Sequence, residues 1–196
     1  MALAIKQHNR IHPKMFTLWL GLGSIVMMFA GLTSAFIVRK AVGNWVEFAM
    51  PSLFTLSSAV IVASSASLFM AAQAFKKNKR SLYRLMLGTT LLLGIAFMYL
   101  QWQGWEELKS YGILLNGNPS GSFVYVISGL HAAHVLGGVL VLFVVFIKSL
   151  RKHDPVKDLM SEINLNKNLG INLLSTYWHF VGILWLYLFV FLKYYQ

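Results

Sequence analysis

TYWHFVGILWLYLFVFL, residues 176–192, is apolar and aromatic for long enough to cross a hydrocarbon core of about 30 Å as a helix, and KYYQ at 193–196 closes it. The run predicts a membrane helix with one polar feature, a Tyr-Trp-His cluster near its start. Tyr177, Trp178, Tyr194 and Tyr195 suit an interfacial belt, with rings at head-group depth and polar atoms wet. His179 sits inside that belt, where an imidazole requires protein, a lipid head group or a water-filled cleft beside it.

Composition agrees with that reading. The chain is 57% hydrophobic and 12% charged, whereas a soluble domain carries about 25% charge. It reads as an all-α, polytopic membrane protein with one transmembrane domain over residues 1–196. With no cysteine, disulfides, thiolate metal sites and iron–sulfur ligation are excluded, leaving His, Met and six carboxylates as potential ligands. A formal charge of +11 is read as topology signal and anionic-lipid contact, with no nucleic-acid partner.

Working outward, five apolar runs predict transmembrane helices at about 15–38, 53–75, 82–101, 123–147 and 172–195. The first is too long for a signal-peptide core and reads as a retained anchor opened by Pro13. Its Ala30, Ser34 and Gly31, Ala35 give four-residue steps of small side chains for close helix approach. His8 and His12 are four apart, a spacing open to a metal but better suited to a solvated basic tail. The second carries Ser57, Ser58, Ser64, Ser65 and Ser67, read as packing plus hydroxyls returned to their own helix. The third is expected to leave the membrane through QWQGWEE at 101–107, and the residues up to Gly121 read as an outside loop.

The fourth holds GLHAAHVLGG at 129–138. His131 and His134 project on one side of it, and Gly129, Ala133 and Gly137 form a neighbouring ridge for a partner helix. The residues leave three readings open: metal or haem ligation with His179 as the facing ligand, hydrogen bonding within the bundle, or contact with lipid head groups. Basic residues are asymmetric: 13 of 17 fall in the N-terminal tail and the second and fourth loops, predicting a cytoplasmic N-terminus and an outside C-terminus.

YWHFV at 177–181 with LWL at 184–186 resembles the YWHFVD-x-x-W-x-x-L pattern in the last helix of subunit III of the haem-copper oxidases. GLHAAHVLGG is similar to that family's GFHGLHVLGG, and SIVMMFAGL at 24–32 to its SEVMFFAGL. The resemblance runs from Phe16 to the C-terminus and implies the shorter, five-helix bacterial form, which lacks the longer form's first two helices. It implies a subunit of a respiratory terminal oxidase in the bacterial plasma membrane, with its N-terminus cytoplasmic and its C-terminus periplasmic. Such a subunit packs on subunit I, with subunit II in the same complex, binds phospholipid in a cleft, and supports stable, proton-coupled reduction of oxygen to water. Haem and copper would belong to the partner subunits; this chain would hold no metal and no catalytic residue.

Carried over by motif, His131, His134, Trp178 and His179 become the candidate lipid-binding or cleft residues. Lys148 joins them, standing where the family often has an arginine that meets a lipid phosphate; lysine keeps the charge and loses the bidentate fork. The chain departs from the pattern at Ile25, Gly104 and Gly182, where the family often has carboxylates. The competing readings are a haem-bearing membrane anchor of a dehydrogenase and a small transporter, though neither inverted repeats nor broken helices are visible.

Overall fold

A computed structural model describes residues 12–43, 45–150 and 166–195. His8, Asn44 and the middle of the fourth loop, with Asp154, Asp158 and Glu162, lie outside the described residues. Those described form five helices: α1 (Pro13–Ala41), α2 (Ser52–Lys76), α3 (Arg80–Ser110), α4 (Pro119–Leu150) and α5 (Asn166–Tyr195). Each is long and apolar enough to span a membrane. The all-α polytopic bundle read from the sequence is the fold.

Helix ends follow local chemistry. Pro13 opens α1, and the His12 ring accepts the Lys14 N–H at 3.3 Å, so this histidine acts as a cap. Arg39 and Lys40 fill the last turn, where cations suit the exposed carbonyls. Asn78 takes the left-handed conformation (φ 54°) in the tight α2–α3 connection, which turns the two helices into the most extensive contact of the bundle. Asn118 Oδ1 accepts from the Ser120 N–H at 3.0 Å and Pro119 occupies the first turn, so α4 begins before residue 123, where the sequence reading placed its start.

The end of α3 differs most from expectation. The helix does not stop at Gln101 but runs to Ser110, because Gln101, Gly104 and Leu108 share one face and turn inward. Gln101 is fully buried and donates from Nε2 to Ser57 Oγ at 3.0 Å. Gly104 lies against Phe54: a Cβ there would stand 2.6 Å from the ring. Gly112 (φ 77°) then ends the helix, with its N–H on Lys109 O and the Ile113 N–H on Leu108 O.

Candidate functional site

Trp178 of α5 sits where α2, α3, α4 and α5 converge, and it is fully buried. Two glycines make room for the indole: a Cβ on Gly94 of α3 would stand 2.9 Å from it, and one on Gly138 of α4 3.0 Å. Its Nε1–H donates to Ser64 Oγ of α2 at 3.0 Å, and that hydroxyl reaches the Thr90 carbonyl of α3 at 3.4 Å. One heptad on, Trp185 repeats the arrangement, donating to Ser58 Oγ at 2.9 Å, while Ser58 returns its own proton to Phe54 O. Trp178 is therefore a core residue and not part of an aromatic belt. Ser57 and Ser58 return their hydroxyls to Phe54 O as expected, but Ser64 and Ser67 donate instead to the Thr90 and Met86 carbonyls of α3, and Ser58 and Ser64 accept indole protons from α5. Tyr177, half-buried, donates to the His134 carbonyl at 2.8 Å, tying α5 to α4 a second time.

The paired histidines of α4 have different surroundings. His131 is fully buried between aromatic rings: Trp185 at 5.0 Å between centroids, with Phe97 at 6.0 Å and Phe29 at 6.4 Å edge-on. Neither of its ring nitrogens has a hydrogen-bond partner. His134 is half-buried, with Nδ1 2.7 Å from the Leu130 carbonyl one turn back; since a carbonyl only accepts, Nδ1 is the donor of that bond. The edge of Phe29 lies against it as well, at 5.9 Å.

His179 belongs elsewhere. Two residues along a helix turn a side chain by about 200°, so with Tyr177 on α4, His179 points away from α4. Gly182, one turn further on that side, faces Ser65 and Ile61 of α2. Trp185, not His179, is what α5 presents to His131. The facing pair of histidines that a bundle haem would require is thus not formed. Among the described residues no three His, Cys, Asp or Glu side chains gather as a metal-ligand set.

Lys148 is exposed in the last turn of α4, about 21 Å along the helix from His134. The ridge of small residues is open: a Cβ on Gly129 would meet nothing within 4 Å, Ala133 is exposed, and Gly137 has only the Tyr177 hydroxyl near it, at 3.9 Å. No helix of this chain covers it among the described residues. The residues that hold the site, Ser58, Ser64, Gly94, Gly138, Gln101 and Trp185, were not singled out for this role from the sequence. One signal was available: Trp178 and Trp185 stand seven residues apart, the repeat of a packed helix seam.

Over residues 16–196 the chain matches the family described as cytochrome c oxidase subunit III. It is similar to the probable cytochrome c oxidase subunit 3 of Nocardia farcinica, with 29% identity covering 96% of this chain and 92% of that protein. It is similar also to cytochrome c oxidase subunit 3 of Thermostichus vulcanus, at 29% identity over 97% and 92% of the two chains. A third relative, from Corynebacterium diphtheriae, is 28% identical over 84% of this chain and 80% of its own.

Proposed function

The chain belongs to the cytochrome c oxidase subunit III family, and from that premise we propose that it works as a non-redox subunit that packs on subunit I, binds phospholipid and prolongs proton-coupled oxygen reduction. Membership makes it a multi-pass membrane subunit of a haem-copper oxidase, one part of an oxidoreductase complex. The observation that carries the finer reading is the use made of the motif residues. Trp178, Tyr177 and Trp185 are spent on holding α2, α4 and α5 together, and His131 is enclosed by rings. These groups make a rigid scaffold; none is left facing a space where a reacting atom would sit.

Haem and copper are then the business of the partner subunits, I and II. Lipid contact is assigned to the surface of α4 and to the basic end of the bundle: the Nε2 of His134, the open ridge of Gly129, Ala133 and Gly137, and Lys148. In this reading the basic loops face the cytoplasm of a bacterium, with the C-terminus of α5 in the periplasm.

The test is purification through a tag on this chain. The expected result is a complex in which mass spectrometry finds the haem- and copper-bearing subunits in one-to-one ratio with it. Removing the chain should leave an oxidase that starts at a similar rate and inactivates after fewer turnovers. A chain that purifies alone with a stoichiometric Soret band would refute the proposal in favour of a haem-bearing anchor.

A further inference from the structure

Gln101 of α3 and His131 of α4 are both fully buried, and each carries polar atoms that meet no hydrogen-bonding group among the described residues. Gln101 spends its amide nitrogen on Ser57 Oγ at 3.0 Å, and Ser57 in turn donates to Phe54 O at 2.9 Å. That chain of donors fixes the amide and leaves Oε1 as the unpaired atom, an acceptor. Both ring nitrogens of His131 are unpaired, and an imidazole carries a proton on at least one of them. An acceptor and a donor are thus buried without partners, where polar atoms are nearly always paired.

Contacts on either side place the two in one layer. One turn before Gln101, on the same face of α3, is Phe97, whose ring centroid lies 6.0 Å from that of His131. One turn after Gln101 is Trp105, whose Nε1–H donates to Ser128 Oγ at 3.0 Å, and Ser128 stands three residues before His131 on α4. Gln101 is therefore bracketed by two side chains that both reach the 128–131 turn of α4. Ser128 belongs to the same layer: its hydroxyl donates to Val124 O at 2.6 Å and accepts from Trp105, which leaves it one further lone pair.

The other neighbours of His131 cannot pair with it. The Trp185 ring lies 31° from its plane at 5.0 Å and sends its N–H to Ser58, while Phe29 and Phe97 present only rings. Full burial keeps a side chain of another subunit away. A metal ion would need further ligands, and among the described residues no three His, Cys, Asp or Glu side chains gather. A ligand for this layer has to be small, to donate to a carbonyl oxygen and to accept from an imidazole N–H.

We propose that one internal water molecule is held between α3 and α4, donating to Gln101 Oε1, accepting from a ring N–H of His131, and placing its second proton on Ser128 Oγ. Internal waters make about three hydrogen bonds, to buried groups that would otherwise be unpaired. The water joins α3 to α4 as the indole–serine bonds join α5 to α2. The proposal concerns contacts within this chain alone and does not depend on which subunits surround it.

Electron cryo-microscopy of the purified oxidase complex, at a resolution that shows buried waters, tests it. The expected result is a density peak at about 2.7–3.1 Å from both Gln101 Oε1 and one His131 ring nitrogen. Gln101→Leu and His131→Leu should each lose that peak with the helices in place. Solid-state NMR of the complex labelled with 15N-histidine gives a second reading: the ring N–H signal that disappears in His131→Leu should show a cross-peak to water, and Gln101→Leu should abolish the cross-peak. No peak in a map that shows other buried waters would overturn the proposal. So would a direct Gln101–His131 hydrogen bond, a ring N–H aimed at the face of Phe97, or a peak that persists in Gln101→Leu.

Discussion

Replacing Ser64 by alanine removes one oxygen from the centre of the bundle and leaves the buried Trp178 indole N–H without the acceptor it has at 3.0 Å. An orphaned buried donor costs about 1–3 kcal/mol in general. In membrane bundles, where the separated helices find other partners, side-chain hydrogen bonds average about 0.6 kcal/mol and reach about 1.7. The close approach of Gly94 and Gly138 holds the Trp178 ring in its slot, so Ser64→Ala should cost about 1–1.5 kcal/mol. Trp178→Phe also loses ring volume and should cost more, though less than the about 3–5 kcal/mol of full truncation to alanine. The two changes remove the same bond, so together they should cost about 1 kcal/mol less than their sum. Ser24→Ala is the control: its hydroxyl is exposed and returns only to the Gly21 carbonyl at 2.8 Å, so its effect should stay within about 0.5 kcal/mol. The measurement is the dodecyl sulfate fraction in mixed micelles at which this subunit unfolds in the purified oxidase. If Ser64→Ala matches Ser24→Ala, or if Ser64→Ala and Trp178→Phe simply add, the indole–serine bond does not hold the helices together.

Three further outcomes follow from other parts of the bundle. His131→Leu removes two buried ring nitrogens that have no partner, so it should change stability by no more than about 1 kcal/mol and leave the oxidase's haem content as it was; loss of stoichiometric haem would overturn the packing reading of His131. Reporter fusions at Lys79, after α2, and Asn118, before α4, should report opposite sides of the membrane, with Lys79 cytoplasmic; agreement between them would contradict five spans, and an inverted pair would contradict the orientation. A hydrophobic carbodiimide, which modifies protonated carboxyls in apolar surroundings, should leave residues 15–38 unmodified, since Ile25 stands where the family often has a carboxylate; an adduct mapped to α1 by mass spectrometry would refute this.

The five spans were legible because each is a long apolar run, and length together with composition makes a helix able to cross. Helix ends were less so. QWQGWEE looks like an exit from the membrane by composition, yet Gln101 donates to Ser57 of another helix and the space beside Gly104 is filled by Phe54. Those partners lie 44 and 50 positions earlier, and no local pattern announces them. The same holds for Trp178: a Tyr-Trp-His cluster at the end of an apolar run resembles a belt unless Gly94 and Gly138 are known to open a slot for the ring. Back-bonding of serine is a local event and was readable from α2 itself; acceptance of an indole proton from α5 was not. The histidines were legible as residues and not as a group. His131 and His134 share one side of α4 and both meet Phe29, but which way His179 turns depends on the packing of α5 between α2 and α4.

The departures from the family pattern form a consistent set once their neighbours are considered. At Gly104 the space for a side chain is taken by the fully buried Phe54 ring, which also packs edge-on against Trp185 at 5.9 Å. At Gly182 the space is bounded by Ser65 and Ile61, and Ile25 packs on the apolar core. Trp185 in turn lies against His131, whose other neighbours are Phe29 and Phe97. At these three positions, then, a ring, a serine–isoleucine wall and an aliphatic side chain stand where the family often has carboxylates, and the His131 imidazole has no hydrogen-bond partner among the described residues. The replacement has to be joint: a carboxylate added at residue 104 alone would have to expel Phe54. The carboxylates among the described residues are Glu47 in the α1–α2 loop, paired with Lys40, and Glu106 and Glu107 near the end of α3, held by Lys109 and the Tyr111 hydroxyl. Between α1 and α5 the polar side-chain contact is Thr33 Oγ1 with the Tyr187 hydroxyl at 3.4 Å, beside the Phe36–Phe191 ring pair. Under the proposed function, the influence of this chain on proton-coupled turnover would run through what it packs against and which lipids it holds.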